Sequence, residues 1–269
     1  MDRKFFNSEV ITPLVKASSQ NAAFVDGDIV FDWTSFDIPK GGAKLLGATF
    51  TIRHNKVASQ VAGLDFLFAK DNGTNSTPTS IGTGNAILGV TNFNSTDVIG
   101  YLNGKNEDYA GITATAASYS TTSATSSLVL SGSGGGSNIG YDRYYVAGIA
   151  NGALDLRSLV ALDDDVDVSG NSGTITTLDG TAPNVVFAAG DVLHVDDDII
   201  LGEVASVTTN NIVLKFDGST STNHSGTYTV PADIAAWRIQ NGAGAAGDLS
   251  DDDLVYNVFP IRLTLHLEK

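Results

Sequence analysis

Three aspartate triplets come nearest to chemistry in this chain: Asp163–Asp165 with Asp167 following, Asp196–Asp198, and Asp251–Asp253. Carboxylates bunched in turns are what Ca²⁺ prefers, which makes Asp163, Asp165, Asp196 and Asp198 candidate ligands. The first triplet lacks the glycine and distal glutamate of a helix-loop-helix calcium site, because Val168 and Thr174 stand at those offsets. The expectation is therefore solvated turns that blunt sheet edges against unwanted pairing, with no metal and no cofactor bound. His54, His194, His224 and His266 are scattered without metal-ligand spacing. His194 and Asp196 share a strand face that could orient an imidazole, but no nucleophile accompanies them.

Two further patterns fail on context. Gly242-Ala243-Gly244-Ala245-Ala246-Gly247 matches the dinucleotide fingerprint by letter, yet it runs into Asp248 and Asp251–Asp253, which would repel a pyrophosphate at a helix start. Ser133 and Ser137 in the glycine loop lack the flanking glycines of a nucleophile elbow. Carboxylate pairs for glycoside hydrolysis are set by the fold and cannot be read from spacing. No constellation points to a reaction, and the expectation is a binding protein that is not an enzyme.

The elements that must position these residues are strands. Ile261, Leu263, Leu265 and Leu267 alternate with Arg262, Thr264, His266 and Glu268, the period of a strand with one face in a core. The same alternation recurs at Ile29/Phe31/Trp33 and Ala48/Phe50/Ile52. Strands are expected over roughly 8–17, 28–37, 44–55, 62–70, 86–91, 96–102, 112–119, 126–130 and 140–150, separated by turns such as Pro39-Lys40-Gly41-Gly42 and Asn103-Gly104. That spacing suits an all-β sandwich or jelly roll. From 162 to 231 the strands shorten, with expected segments at Val166/Val168, Thr174–Leu178, Val185–Phe187, Val192–Val195, Ile199–Val207, Ile212–Phe216 and Thr227–Val230, as in a small β-barrel. The strand at 254–267 resembles the first part in pattern. Residues 1–161 plus 232–269 are therefore expected to form one β-sandwich, interrupted by an inserted barrel at 162–231.

Charge divides the chain at the same places. Residues 1–161 carry 11 basic and 13 acidic side chains, 162–231 carry 1 and 11, and 232–269 carry 3 and 6, within a total of −15. An acidic surface repels phosphate backbones and anionic lipid, so neither nucleic acid nor membrane is an expected partner. There is no cysteine to cross-link the fold. No stretch approaches the roughly 18 apolar residues that span a bilayer. A soluble protein without a classical export signal is expected.

Several stretches together resemble structural proteins of tailed-bacteriophage virions. Gly41-Gly42-Ala43-Lys44-Leu45-Leu46-Gly47-Ala48-Thr49-Phe50-Thr51 followed by Leu64-Asp65-Phe66-Leu67-Phe68-Ala69 looks like the paired strands that open minor capsid or decoration proteins. Val98–Tyr101 and Tyr144–Ile149 resemble their later strands. Ala188–Leu193, Leu201–Val207 and Asn211–Leu214 are similar to a small β module of such proteins, and Asp253–Asn257 with Pro260–Leu267 to their C-terminus.

The resemblance implies a role in the virion and leaves the part open; a capsid decoration protein, made in the host cytoplasm and placed on the outer capsid surface, is the expectation. Its expected partners are the major capsid protein and further copies of itself, with a trimer expected before a dimer. A tail, fibre or adhesin component that meets a host glycan is the alternative, and a cellular carbohydrate-binding module stands behind both. Arg3, Lys4, Phe5 and Phe6, in a segment reaching to Asn21, are the candidate contact arm, since terminal segments order by adding to a neighbour's sheet. Tyr141, Tyr144 and Tyr145 are the visible aromatic cluster and are expected in the core or at a subunit contact.

Overall fold

A computed structural model of the chain describes residues 6–53, 63–70, 77–89, 98–104, 109–113, 116–122, 128–130, 141–158, 160, 168–169, 172–176, 182–195, 199–214, 227–228, 237–238 and 254–269. The first strands are β1 (Phe6–Ile11), β2 (Ile29–Pro39), β3 (Ala43–Arg53), β4 (Gly63–Lys70), β5 (Val98–Asn103), β6 (Tyr109–Thr113), β7 (Ala116–Thr122), β8 (Leu128–Leu130) and β9 (Tyr141–Asn151). Then come β10 (Val168–Ser169), β11 (Ser172–Thr176), β12 (Val192–Val195), β13 (Ile199–Val207), β14 (Asn211–Leu214), β15 (Thr227–Tyr228), β16 (Trp237–Arg238), β17 (Val255–Asn257) and β18 (Ile261–Glu268). Helix among the described residues is confined to single turns, α1 (Ala17–Gln20) and α2 (Pro183–Val186).

The fold is all-β, and its main part is a sandwich. One sheet runs β1-β18-β3-β7-β6, with β8 also on β3; the other runs β2-β9-β4-β5. The alternation along β18 does what its period requires: Ile261, Leu263, Leu265 and Leu267 are buried and pack against the β2-β9-β4-β5 sheet. They meet a core of Leu45, Phe50, Phe66, Phe68, Tyr144 and Val146 drawn from both sheets. Phe50 and Phe66 join the layers edge to face with centroids 5.1 Å apart. Gly148 sits opposite Phe31 on one neighbour and Phe66 on the other. A Cβ there would lie 2.2 Å from the Phe31 ring, so the glycine lets the aromatic ring cover the strand.

Strand β2 does not alternate as its sequence suggests. Its register against β9 shifts between Ile29 and Phe31 and again between Phe31 and Thr34. Each bulge changes which face later residues occupy. Phe31 enters the main core, whereas Ile29 and Trp33 pack with Ile81 and Ala147 in a separate cluster. The loop 77–89 supplies that cover. Of the expected strand at 86–91, the described residues 86–89 hold one bridge, Ile87 with Asp28.

A second sheet runs β10-β11-β14-β13-β12-β17. Its buried residues include Leu193, Val204, Ile212, Leu214 and Tyr256. No barrel closure is present among its described pairings. Three expectations are corrected here. The segment 254–267 is two strands: β17 pairs with β12, Val195 opposite Val255, while β18 joins the sandwich. Residues 255–257 therefore share a sheet with the 162–231 segment, and deleting that segment would strip β17 of its partner. The expected strand 112–119 is parts of two, β6 and β7, which pair with each other. Val185–Phe187 is not a strand, because Pro183 at the helix start sets φ for the single turn α2.

Candidate binding cleft

The sandwich and the second sheet meet at an ion pair. Arg53 ends β3, its backbone N–H donating to the Pro260 carbonyl (2.8 Å). Its guanidinium donates to Asp191 and to the Val186 carbonyl (2.8 Å). Asp191 follows Gly190, whose φ of +93° belongs to the left-handed region that glycine reaches without strain. The turn is tied down by Gly190 N–H to Val204 O and Val204 N–H to Asp191 O, both 2.8 Å. The second Asp191 carboxylate oxygen accepts from Ala188 N–H at 2.8 Å. Burial pushes the Asp191 carboxyl above the ordinary range, and the Arg53 charge opposes that shift.

This pair lies in a cleft of about 880 Å³, lined also by Leu14, Trp33, Thr51, Asn257, Phe259 and Arg262. A smaller cavity of about 410 Å³ adjoins it and shares Leu14, Trp33 and Thr34. Trp33 thus stands between the two. Its indole N–H donates to Thr79 O (2.9 Å), and Asp32 accepts from the backbone N–H groups of Trp33 (2.8 Å) and Ile81 (3.2 Å). The β2 bulge re-aims the ring, and these bonds hold it. Lys16 borders the smaller cavity. Arg262 projects from the exposed face of β18 opposite Thr51.

A second polar cluster lies on β4, β5 and the end of β9. Asp65 accepts from Tyr101 OH (2.7 Å), Asn103 Nδ2 (2.7 Å) and Asn151 Nδ2 (3.1 Å). Burial and the Asp65 bond push the Tyr101 phenol up. With its oxygens taken by neighbours, Asp65 serves to fix the cluster.

The residues that the sequence alone singles out lie elsewhere. Arg3, Lys4 and Phe5 lie outside the described residues, as do Asp163, Asp165, Asp196 and Asp198 and the triplet Asp251–Asp253. Phe6 opens β1 opposite Glu268. The segment to Asn21 is not a free arm, because Ile11, Val15 and Ala17 are buried in this chain's own fold. Val15 N–H donates to Val258 O (2.8 Å), and Gln20 Nε2 donates to Val15 O (3.0 Å) and Asn257 O (3.1 Å). Tyr144 is in the core and Tyr145 is buried, so the tyrosines of β9 present no joint exposed face. His194 is buried in β12, and His266 Nε2 lies 3.1 Å from Thr49 Oγ1. Among the described residues no three His, Asp or Glu side chains converge as a metal site.

No family model matches the chain, and neither does any curated protein or solved structure.

Proposed function

We propose that this chain is a structural protein of a tailed-bacteriophage virion, a decoration protein that binds the outer face of the major capsid protein lattice and associates with copies of itself as a trimer. One observation supports this reading beyond the resemblance. Strand β1 is outermost in its sheet, with β18 on one side and no partner on the other among the described residues. An open edge of this kind accepts a strand from a neighbouring subunit. The residues Arg3–Phe6 run directly into it, and exposed Val10 lies along it. The acidic 162–231 segment suits a position facing water, where like charge keeps crowded particles apart.

Fractionating purified particles tests the proposal: a decoration protein is present at hundreds of copies. The alternative, a tail, fibre or adhesin component, is favoured by the Trp33 cleft. It requires a few copies only.

A further inference from the structure

We infer that the Trp33 cleft is a binding site for a carboxylate-bearing saccharide, such as an oligosaccharide of uronic or sialic acid residues. The inference does not depend on where the protein sits in a particle, since a decoration protein and a tail protein can each carry such a site.

Charge is the first argument. The chain carries 30 acidic against 15 basic side chains, yet the adjoining cavities hold Lys16, Arg53 and Arg262. The two carboxylates there are already engaged. Asp32 accepts from two backbone N–H groups, and Asp191 accepts from Arg53 and Ala188 N–H. Arg262 and Lys16 have no carboxylate partner among the described residues. A planar guanidinium presents paired donors that match a carboxylate, and a locally cationic cleft in an acidic molecule selects an anion.

The uncharged lining argues for a sugar. Trp33 is half-buried and anchored through its indole N–H, so its orientation is set before a ligand arrives. Sugars present C–H faces that pack on such a ring, and preorganisation lowers the cost of binding. Around it stand hydroxyls of Thr12, Thr34, Ser35 and Thr51, with Asn257 beside them. A concave site with an aromatic wall, a few polar side chains and, among the described residues, two cations without a carboxylate partner suits a small polar anion with a flat apolar face.

Binding is measured on an immobilised array of acidic and neutral oligosaccharides, with each uronate also present as its neutral methyl ester. The chain has two tryptophans, Trp33 and Trp237, so a Trp237→Phe background leaves Trp33 fluorescence as the solution readout. The expected result is retention of acidic sugars over their esters and a saturable change in Trp33 emission. Arg262→Gln is expected to weaken acid binding about tenfold with the melting temperature unchanged, the scale of one charge-assisted contact. Trp33→Phe, which keeps an aromatic face, should retain binding, and Trp33→Ala should lose it. Equal retention of acids and esters would overturn the carboxylate assignment. No retention of any acidic sugar by the folded protein would overturn the site, and binding of a hexaglutamate peptide in place of the sugars would reassign it to an acidic peptide.

Discussion

Tyr144 carries its hydroxyl into the sandwich core, where it has no hydrogen-bond partner among the described residues, and burial pushes its phenol up to about 12. A buried polar group left unpaired costs about 1–3 kcal/mol. Tyr144→Phe keeps the ring stacked on Phe36, at a 5.9 Å centroid distance, and removes the hydroxyl. A gain of about 1 kcal/mol is expected, read as a rise in melting temperature of about 2–4 °C. A fall would mean that the hydroxyl holds a stabilising partner. Asp191 yields a pH prediction. A carboxyl whose pKa is raised by folding binds its proton more tightly in the folded chain, so its contribution to stability is greatest below the ordinary carboxyl range and is lost as pH rises through the raised value. Asp191→Asn removes that term, and its melting temperature is expected to decline less than the parent's between about pH 4 and pH 7. Identical pH profiles would remove Asp191 as a source of the dependence. Neither residue announces its role in the sequence. Arg53 and Asp191 are 138 positions apart and meet only through the packing of two sheets. Trp33 was legible as a strand aromatic, but the bulges that turn it into the cleft depend on pairing with β9.

Elements were more legible than sites, because alternation over five or more residues reports one buried face directly. The positions of β3 and β18 follow from that signal, with Ala48, Phe50 and Ile52 and then Ile261, Leu263, Leu265 and Leu267 buried. It fails where a strand changes sheets. Residues 254–267 read as one strand because the apolar positions continue, yet Phe259 and Pro260 interrupt the ladder between β17 and β18. The N-terminal segment shows the same limit. With Arg3, Lys4, Phe5 and Phe6 at its start the segment to Asn21 reads as a contact arm, but the alternation of Ile11, Pro13, Val15, Ala17 and Ser19 buries one side of it against this chain. Truncation separates the two roles. Removing residues 1–5 should leave the melting temperature within about 1–2 °C of the parent while weakening attachment to particles, since the first few residues of a domain commonly contribute little to stability. Removing residues 1–20 takes away β1, Val15 and the Gln20 bonds, and is expected to unfold or aggregate the protein by exposing the β18 edge. A stable, monomeric 21–269 fragment by circular dichroism and gel filtration would contradict the burial argument.

At the scale of the whole molecule, composition and charge pointed to a cysteine-free all-β protein with an acidic region, and the sandwich accounts for the all-β reading. The second sheet was legible as a run of short strands, but its sharing of β17 was not, because a three-residue strand leaves too short a pattern to identify. The aspartate triplets lie outside the described residues, and the sequence alone leads to the expectation of solvated turns. On that reading the melting temperature shifts little between chelator and millimolar Ca²⁺, whereas specific binding to the folded state would add about 2.7 kcal/mol at a hundredfold excess over the dissociation constant. A rise of several degrees would assign them to calcium. The central claim is a place on a capsid. Quantitative mass spectrometry of purified, intact particles, with this chain measured against the major capsid protein, tests it most directly. Hundreds of copies per particle is the predicted result; absence from the particle, or a handful of copies fractionating with tails, would contradict it.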